Sequence, residues 1–257
     1  MRRRMLAVVS LFLAATTAAK SWAEESSWAT IRAMLFGERV IEDGSTRLTL
    51  EAPARALDAA IVPVRIQLLP VHASQADPIR RLWLVIDNNP APVAAVFHLA
   101  PEAGVTSLST RVRVNTYTPV HVIGESARGT LYAVERFVKA SGGCSAPALK
   151  DREAAMAGLG RMKLQPLDTF EPGRPLRVKL KIGHPNYTGL QIDQLTREWI
   201  PPDYVTRIHI RFNGQTILQV DGDISLSEDP TIEFDFVPQK AGTLAVAIAD
   251  SAGRQFA

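Results

Sequence analysis

Cysteine occurs once in this sequence, at Cys144, and its surroundings make it the first candidate for chemistry. Gly142, Gly143, Ser145 and Ala146 flank it, so the sulfur has no bulky neighbour and the two glycines give the segment its flexibility. An unperturbed thiol, with a pKa near ~8.5, is a few per cent thiolate at neutral pH, enough for slow attack alone and for fast attack inside a partner that lowers the pKa. One cysteine builds neither an internal disulfide framework nor a cysteine-only zinc site. It can hold a group covalently, or join two chains as a disulfide-linked homodimer on oxidation. An incidental exposed cysteine is the plain alternative.

The remaining candidates are weaker. His72, His98, His121, His184 and His209 show no HxH or HExxH spacing, so no metal site is expected. No GxSxG elbow, GxxxxGK[ST] loop or post-strand GxGxxG occurs, and Gly158-Leu159-Gly160 falls in an expected helix. Hydrolase, nucleotide and dinucleotide chemistry therefore lose support. Asp77, Asp87 and Asp193 are scattered acids whose pairing in space cannot be read from spacing. The sequence assigns no catalytic residue and no cofactor, and the chain reads as a carrier or accessory protein rather than an enzyme.

The N-terminus has the form of a secretory signal. Arg2, Arg3 and Arg4 form a basic head, Met5–Ala19 an apolar and small-residue run, and Ser21-Trp22-Ala23 a cleavage site after Ala23. The general and twin-arginine export routes both fit. A membrane anchor is the alternative, but the run is short and no later stretch reaches about 18 apolar residues, so a periplasmic protein without a membrane span is expected. The whole chain carries a formal charge of +3. Removal of residues 1–23 takes away Arg2, Arg3, Arg4 and Lys20 and no acid, so 29 basic residues become 25 against 26 acidic ones, a net of −1. A globally basic nucleic-acid binder is thereby disfavoured. Export also places Cys144 in an oxidising compartment, where structural cysteines usually come in pairs.

The elements that must position Cys144 are strands. From Ser45 onward short alternating runs are separated by Pro, Gly, Asn and Asp, the pattern of a β-sandwich. Strands are expected at 46–51, 61–69, 81–87, 93–99, 107–114, 120–124 and 130–139, about the number in one Ig-like sandwich. A helix near Trp28–Phe36, capped by Ser26 or Ser27 and stopped by Gly37, would pack on an end of it. Residues 141–147, with two glycines and no apolar periodicity, read as an exposed, flexible segment that would expose the Cys144 thiol, and they open a Cys-bearing arm and linker over 141–171 with helical turns over Asp151–Met162. A second run of strands follows at 177–182, 204–212, 215–220, 231–237 and 243–250, with Asn213-Gly214 as a hairpin turn. Arg177, Lys179 and Lys181 lie on one face of their strand, and Arg207, His209 and Arg211 form a matching stripe that Glu233 and Asp235 can neutralise. A solvated outer face explains these stripes as well as a binding surface does. The fold class is all-β, two Ig-like β-sandwich domains at 24–140 and 172–257 joined by a flexible, partly helical linker.

Val138-Lys139-Ala140-Ser141-Gly142-Gly143-Cys144 resembles the mobile Gly-Gly-Cys arm that ends SoxY proteins. His184-Pro185-Asn186-Tyr187-Thr188-Gly189-Leu190, then Trp199-Ile200-Pro201, then Phe212-Asn213-Gly214 match, in order, the HPMxTG, IP and NG motifs of SoxZ proteins. The chain is thus similar to the two subunits of the periplasmic sulfur-oxidation carrier fused in the order Y then Z, and to the SoxYZ-like carriers associated with quinoprotein (PQQ-dependent) dehydrogenases. It departs from that pattern in that Ser145-Ala146-Pro147 stands where a terminal Gly-Gly is usual, and the arm is internal. From Ser141 to Pro147 the arm reaches at most about 24 Å at ~3.4 Å per residue, and about half of that as a loop pinned at both ends.

The resemblance implies that Cys144 carries sulfur-containing intermediates for periplasmic redox or sulfur-handling enzymes. The alternative is a docking protein for a quinoprotein dehydrogenase with the cysteine idle, and a weaker one is a thiol redox or metal-delivery protein. His184 and Pro185 suit an interface loop near the arm, and equally a strand-ending turn rigidified by proline.

Overall fold

The structure is a computed structural model that describes residues 27–70, 77–148 and 152–257. The expected signal segment at residues 1–23 lies outside the described residues, as does His72.

Helix α1 (Ser27–Phe36) precedes eight strands: β1 (Ile41–Asp43), β2 (Leu48–Glu51), β3 (Val62–Leu68), β4 (Ile79–Ile86), β5 (Val93–Leu99), β6 (Ser107–Val112), β7 (Thr118–Ser126) and β8 (Leu131–Val138). After the Cys144 segment come a short helix α2 (Arg152–Ala157) and seven strands: β9 (Met162–Pro166), β10 (Leu176–Ile182), β11 (Val205–Phe212), β12 (Gln215–Gly222), β13 (Thr231–Phe236), β14 (Leu244–Asp250) and β15 (Gln255–Phe256). The all-β class read from alternation holds. α2 is shorter than the helix expected over Asp151–Met162, and the segment expected as linker also supplies β9, antiparallel to β10 from Met162↔Ile182 to Pro166↔Val178.

The two halves share their sheets. One sheet of nine strands runs β1-β8-β7-β4-β5-β12-β11-β14-β15, and a second of six runs β2-β3-β6-β13-β10-β9. Each half thus contributes one group of strands to each sheet, and the two sandwiches lie edge to edge. The seams are β5–β12, paired from Leu99↔Leu218 to Ala95↔Gly222, and β6–β13, paired at Ser109↔Glu233 and Leu108↔Phe234. Pairing across the two seams covers the edges of four strands, β5, β12, β6 and β13, that would otherwise expose unpaired backbone. One apolar core, including Leu82, Leu84, Phe97, Val178, Ile210 and Phe234, extends through both halves.

Period 2 sorts β4 into two jobs. Leu82, Leu84 and Ile86 enter the shared core, whereas Trp83 and Val85 face the other way and are covered by Ile31 and Phe36 of α1. α1 therefore packs on the outer face of the nine-stranded sheet, not on an end of the sandwich as expected. It stops at Gly37, whose φ of 59° is left-handed and whose N–H returns to the Ala33 carbonyl at 2.9 Å.

The Asn213-Gly214 turn joins β11 to β12 with both residues at positive φ, 52° and 82°, as its sequence requires. In β10 the apolar residues face the core and Lys179 pairs with Glu233 at 2.6 Å. Arg207, His209 and Arg211 lie on the nine-stranded sheet, so the two basic stripes belong to different sheets. No helix of the described residues is long and apolar enough to cross a membrane.

Candidate functional site: a buried thiol at the seam

Where β6 ends, strand alternation ends too. Val112, Arg113 and Val114 are all buried, because one side of this stretch meets the second half and the other meets the Cys144 segment. The Arg113 N–H donates to the Ser225 carbonyl at 2.8 Å, and the Asn89 amide donates to the Arg113 carbonyl at 2.7 Å and to Ser225 Oγ at 2.9 Å. Val114 N–H bonds the Ala59 carbonyl at 2.8 Å. These bonds build a rigid floor from both halves.

The Cys144 segment lies across that floor. Gly142 and Gly143 donate their N–H groups to the Asn115 and Val114 carbonyls at 2.8 and 3.0 Å. On the other side the second half holds the segment by two side chains: Thr188 Oγ1 donates to the Cys144 carbonyl at 2.6 Å, and Gln191 Nε2 to the Ala146 carbonyl at 2.8 Å. Gly142 has φ 82°, a left-handed value that suits glycine. Gly143 is needed for space, since a Cβ there would lie 2.1 Å from the Ala59 carbonyl oxygen and 2.7 Å from that of Val114. Here both glycines serve fit, in addition to any flexibility they confer.

Cys144 itself is 0 % exposed, a correction to the expectation of an exposed thiol. The reason is local: Ser145 is exposed while Cys144, one residue earlier, points inward, so the segment is at the surface and its sulfur is not. Small neighbours let a cysteine be exposed, but they equally let the chain press flat enough to bury it. Burial pushes the thiol pKa up to about 11, against the opposing pull of the Arg113 guanidinium. In this conformation the sulfur is a protonated, weakly nucleophilic thiol.

Arg113 is the unusual neighbour. It is 1 % exposed, and among the described residues its guanidinium donates only long bonds, from Nη1 to the Gly143 carbonyl at 3.2 Å and from Nη2 to the Asn186 carbonyl at 3.4 Å. Among the described residues its Nε has no acceptor. Burial lowers its pKa, while Cys144, Glu228 and Asp58 favour its charge.

His184 and Pro185 are buried, and the contacts to the arm come instead from Thr188 and Gln191 further along the loop. His184 Nδ1 accepts the Asn186 N–H at 3.1 Å, which leaves the proton on Nε2, between Asp203 at 3.6 Å and Asp250 at 3.5 Å. This trio is a set of donor atoms close enough for a metal ion. Arg254 already occupies the carboxylates, through Nη2 to Asp203 Oδ2 and Nε to Asp250 Oδ2, both at 2.6 Å. Burial lowers the His184 pKa, outweighing the two aspartates that would raise it. For Asp250, burial acts upward but the Arg254 hydrogen bonds prevail and hold it low. The trio, tied by Arg254, is a structural knot under the loop that clamps the arm.

Asp77, Asp87 and Asp193 do not converge: Asp77 accepts the Arg128 N–H, Asp87 meets buried His121 at 3.1 Å, and Asp193 accepts the Leu195 and Thr196 amides. A groove of about 720 Å3 lies on the six-stranded sheet between Arg65, Arg111, Lys179, Lys181, Glu51 and Glu233 and includes no residue of the arm.

Sequence reading missed Arg113, Thr188 and Gln191 as partners of the cysteine. Thr188 lies within the 184–190 motif and Gln191 directly after it. Arg113 sits in register with Ser109 and Arg111 on the polar side of its strand, and nothing in the sequence separates it from Arg111.

Comparison with known proteins identifies the two halves. Residues 32–144 match the family of the sulfur oxidation protein SoxY, ending on Cys144, and residues 165–257 match the family of the sulphur oxidation protein SoxZ. The chain is a fused SoxYZ-like protein. Among solved structures it is similar to the sulfur carrier protein SoxY from Chlorobium limicola f thiosulfatophilum, with 24% identity and a TM-score of 0.37 over 45% of this chain and 95% of that one. Fainter similarities reach a Bacteroides ovatus glucan-utilization protein, SGBP-B (13% identity, TM-score 0.19, 85% of this chain and 44% of that one), and the Vibrio cholerae secreted serine protease VesC (10%, 0.18, 79% and 50%). No match is found among curated protein sequences. In this fused SoxYZ-like protein the SoxY-like half supplies Cys144, both halves build the floor beneath it, and the SoxZ-like half supplies the clamp.

Proposed function

We infer that this protein is an exported covalent carrier: Cys144 holds a sulfur-containing group and presents it to periplasmic redox or sulfur-handling enzymes, which load and release it while the carrier itself turns over nothing. The observation that supports this most is the position of the chain's one cysteine, at the end of the SoxY-matched segment and at the seam where the SoxZ-like half grips the arm. Loading from a sulfenyl donor needs no external oxidant. The Cys144 thiolate attacks the donor sulfur, an Sγ–S bond forms, the donor's bond to its leaving group breaks, and that group departs with the electron pair and takes up the proton the thiol lost.

The buried thiol gives the carrier two states. With the arm seated, the sulfur is protonated and shielded; with the arm lifted, it regains the acidity and access of an ordinary thiol. A partner that binds the lifted arm shifts the population toward it. Complementation tests the reading: a strain carrying Cys144→Ser accumulates the protein and loses the pathway. Full pathway activity with Cys144→Ser would leave the docking-protein reading, in which a quinoprotein dehydrogenase is the partner and the cysteine is idle.

A further inference from the structure

Arg113 is not explained by the neutral thiol beside it. A buried cation with five N–H donors that, among the described residues, makes two long bonds to carbonyls and leaves Nε without an acceptor is costly unless something compensates its charge. Glu228, 5 % exposed, and Asp58 favour its charge. Cys144 acts on it more strongly than either carboxylate, and Arg113 holds the carbonyl of the residue directly before the cysteine. Guanidinium is the side chain best suited to pair with sulfur oxyanions and thiolates at close range, because its planar fork bonds an anion through two donors.

We propose that Arg113 is a receptor for negative charge on the Cys144 sulfur, so that the seated arm favours an anionic cargo, a persulfide anion or an S-sulfonate, over a neutral one of similar size. The arm then reads its own cargo: anionic groups are stored against Arg113, and conversion to a neutral group releases the arm. The receptor role rests on the carrier reading above, and a single structural readout separates the two. When the arm lifts, the Gly142 and Gly143 amides lose their bonds to Asn115 and Val114, so their hydrogen exchange reports seating directly.

The experiment uses the full mature chain labelled at its one cysteine in urea and refolded, either as the S-sulfonate (sulfite with tetrathionate as oxidant) or as the neutral methylthio adduct (methyl methanethiosulfonate). The expected result is exchange at Gly142 and Gly143 at least tenfold slower in the S-sulfonate than in the methylthio chain, with the difference abolished in Arg113→Met and narrowed in Arg113→Lys. The wild-type comparison needs no variant, so a failure of Arg113→Met to fold leaves it intact. Equal exchange in the two adducts, or faster exchange in the S-sulfonate, overturns the receptor role. Either result leaves the carrier reading to be decided by Cys144→Ser.

Discussion

Gly143→Ala should convert the shielded thiol into an ordinary one. The added Cβ would lie 2.1 Å from the Ala59 carbonyl oxygen, 2.6 Å from its carbon and 2.7 Å from the Val114 oxygen, all backbone atoms that cannot swing aside. The arm must lift, and the floor and the two sheets remain, because no core side chain is altered. The size of the effect follows from the thiol's acidity: a pKa of about 11, against about 8.5–9 for an exposed cysteine, leaves the seated thiol at least about a hundredfold less ionised below pH 8.5. Pseudo-first-order alkylation by iodoacetamide, followed by intact mass from pH 7 to 11, reads it. Wild-type rates should climb tenfold per pH unit to about pH 11, and Gly143→Ala should plateau near pH 9 and react roughly a hundredfold faster at pH 8. A wild-type plateau below pH 9, or identical rates in the two chains, would refute the seated arm.

The other expectations are more local. Thr188→Val and Gln191→Ala each remove one clamp bond, worth about 1 kcal/mol, so each should speed alkylation at pH 8 roughly fivefold without altering the circular dichroism. Folded Cys144 keeps its proton above the pH where the unfolded chain loses it, so wild-type stability in urea should fall between about pH 9 and 11, and Cys144→Ala should lack that fall. Arg254→Met leaves Asp203 and Asp250 without their cation beside buried His184; a loss of about 3 kcal/mol in urea denaturation is expected, with the His184 pKa rising by NMR titration. Gly214→Ala meets open space but a φ of 82°, so it should cost roughly 1 kcal/mol from backbone strain alone.

The strands were legible because alternation survives wherever one face of a strand is buried and the other is wet. β10, with Leu176, Val178, Leu180 and Ile182 inward and Arg177 and Lys181 outward, is the plainest case. β9 escaped because its sequence, MKLQP, is too short and polar to stand out, and its strand state is imposed by pairing with β10. The shared sheets left no signal either: Leu99 and Leu218 read as ordinary core residues, and nothing local says that their strands pair with each other.

At the site, the cysteine and its family resemblance were visible, whereas its burial was not. Glycine on both sides permits either an open arm or a flush one, and the choice is made by the Ala59 and Val114 carbonyls, more than 25 residues away in sequence. Arg113 was hidden for a related reason, since a cation on the polar face of a strand is normally solvated, whereas this one is buried and bonds the arm and the second half.

Intact mass of the protein isolated from cells without reductant, under conditions that require the pathway, tests the carrier role most directly. The account predicts sulfur-containing mass increments that map to the Cys144 peptide, vanish on reduction and are absent from Cys144→Ser. A chain that carries only the free thiol while the pathway is active would contradict it.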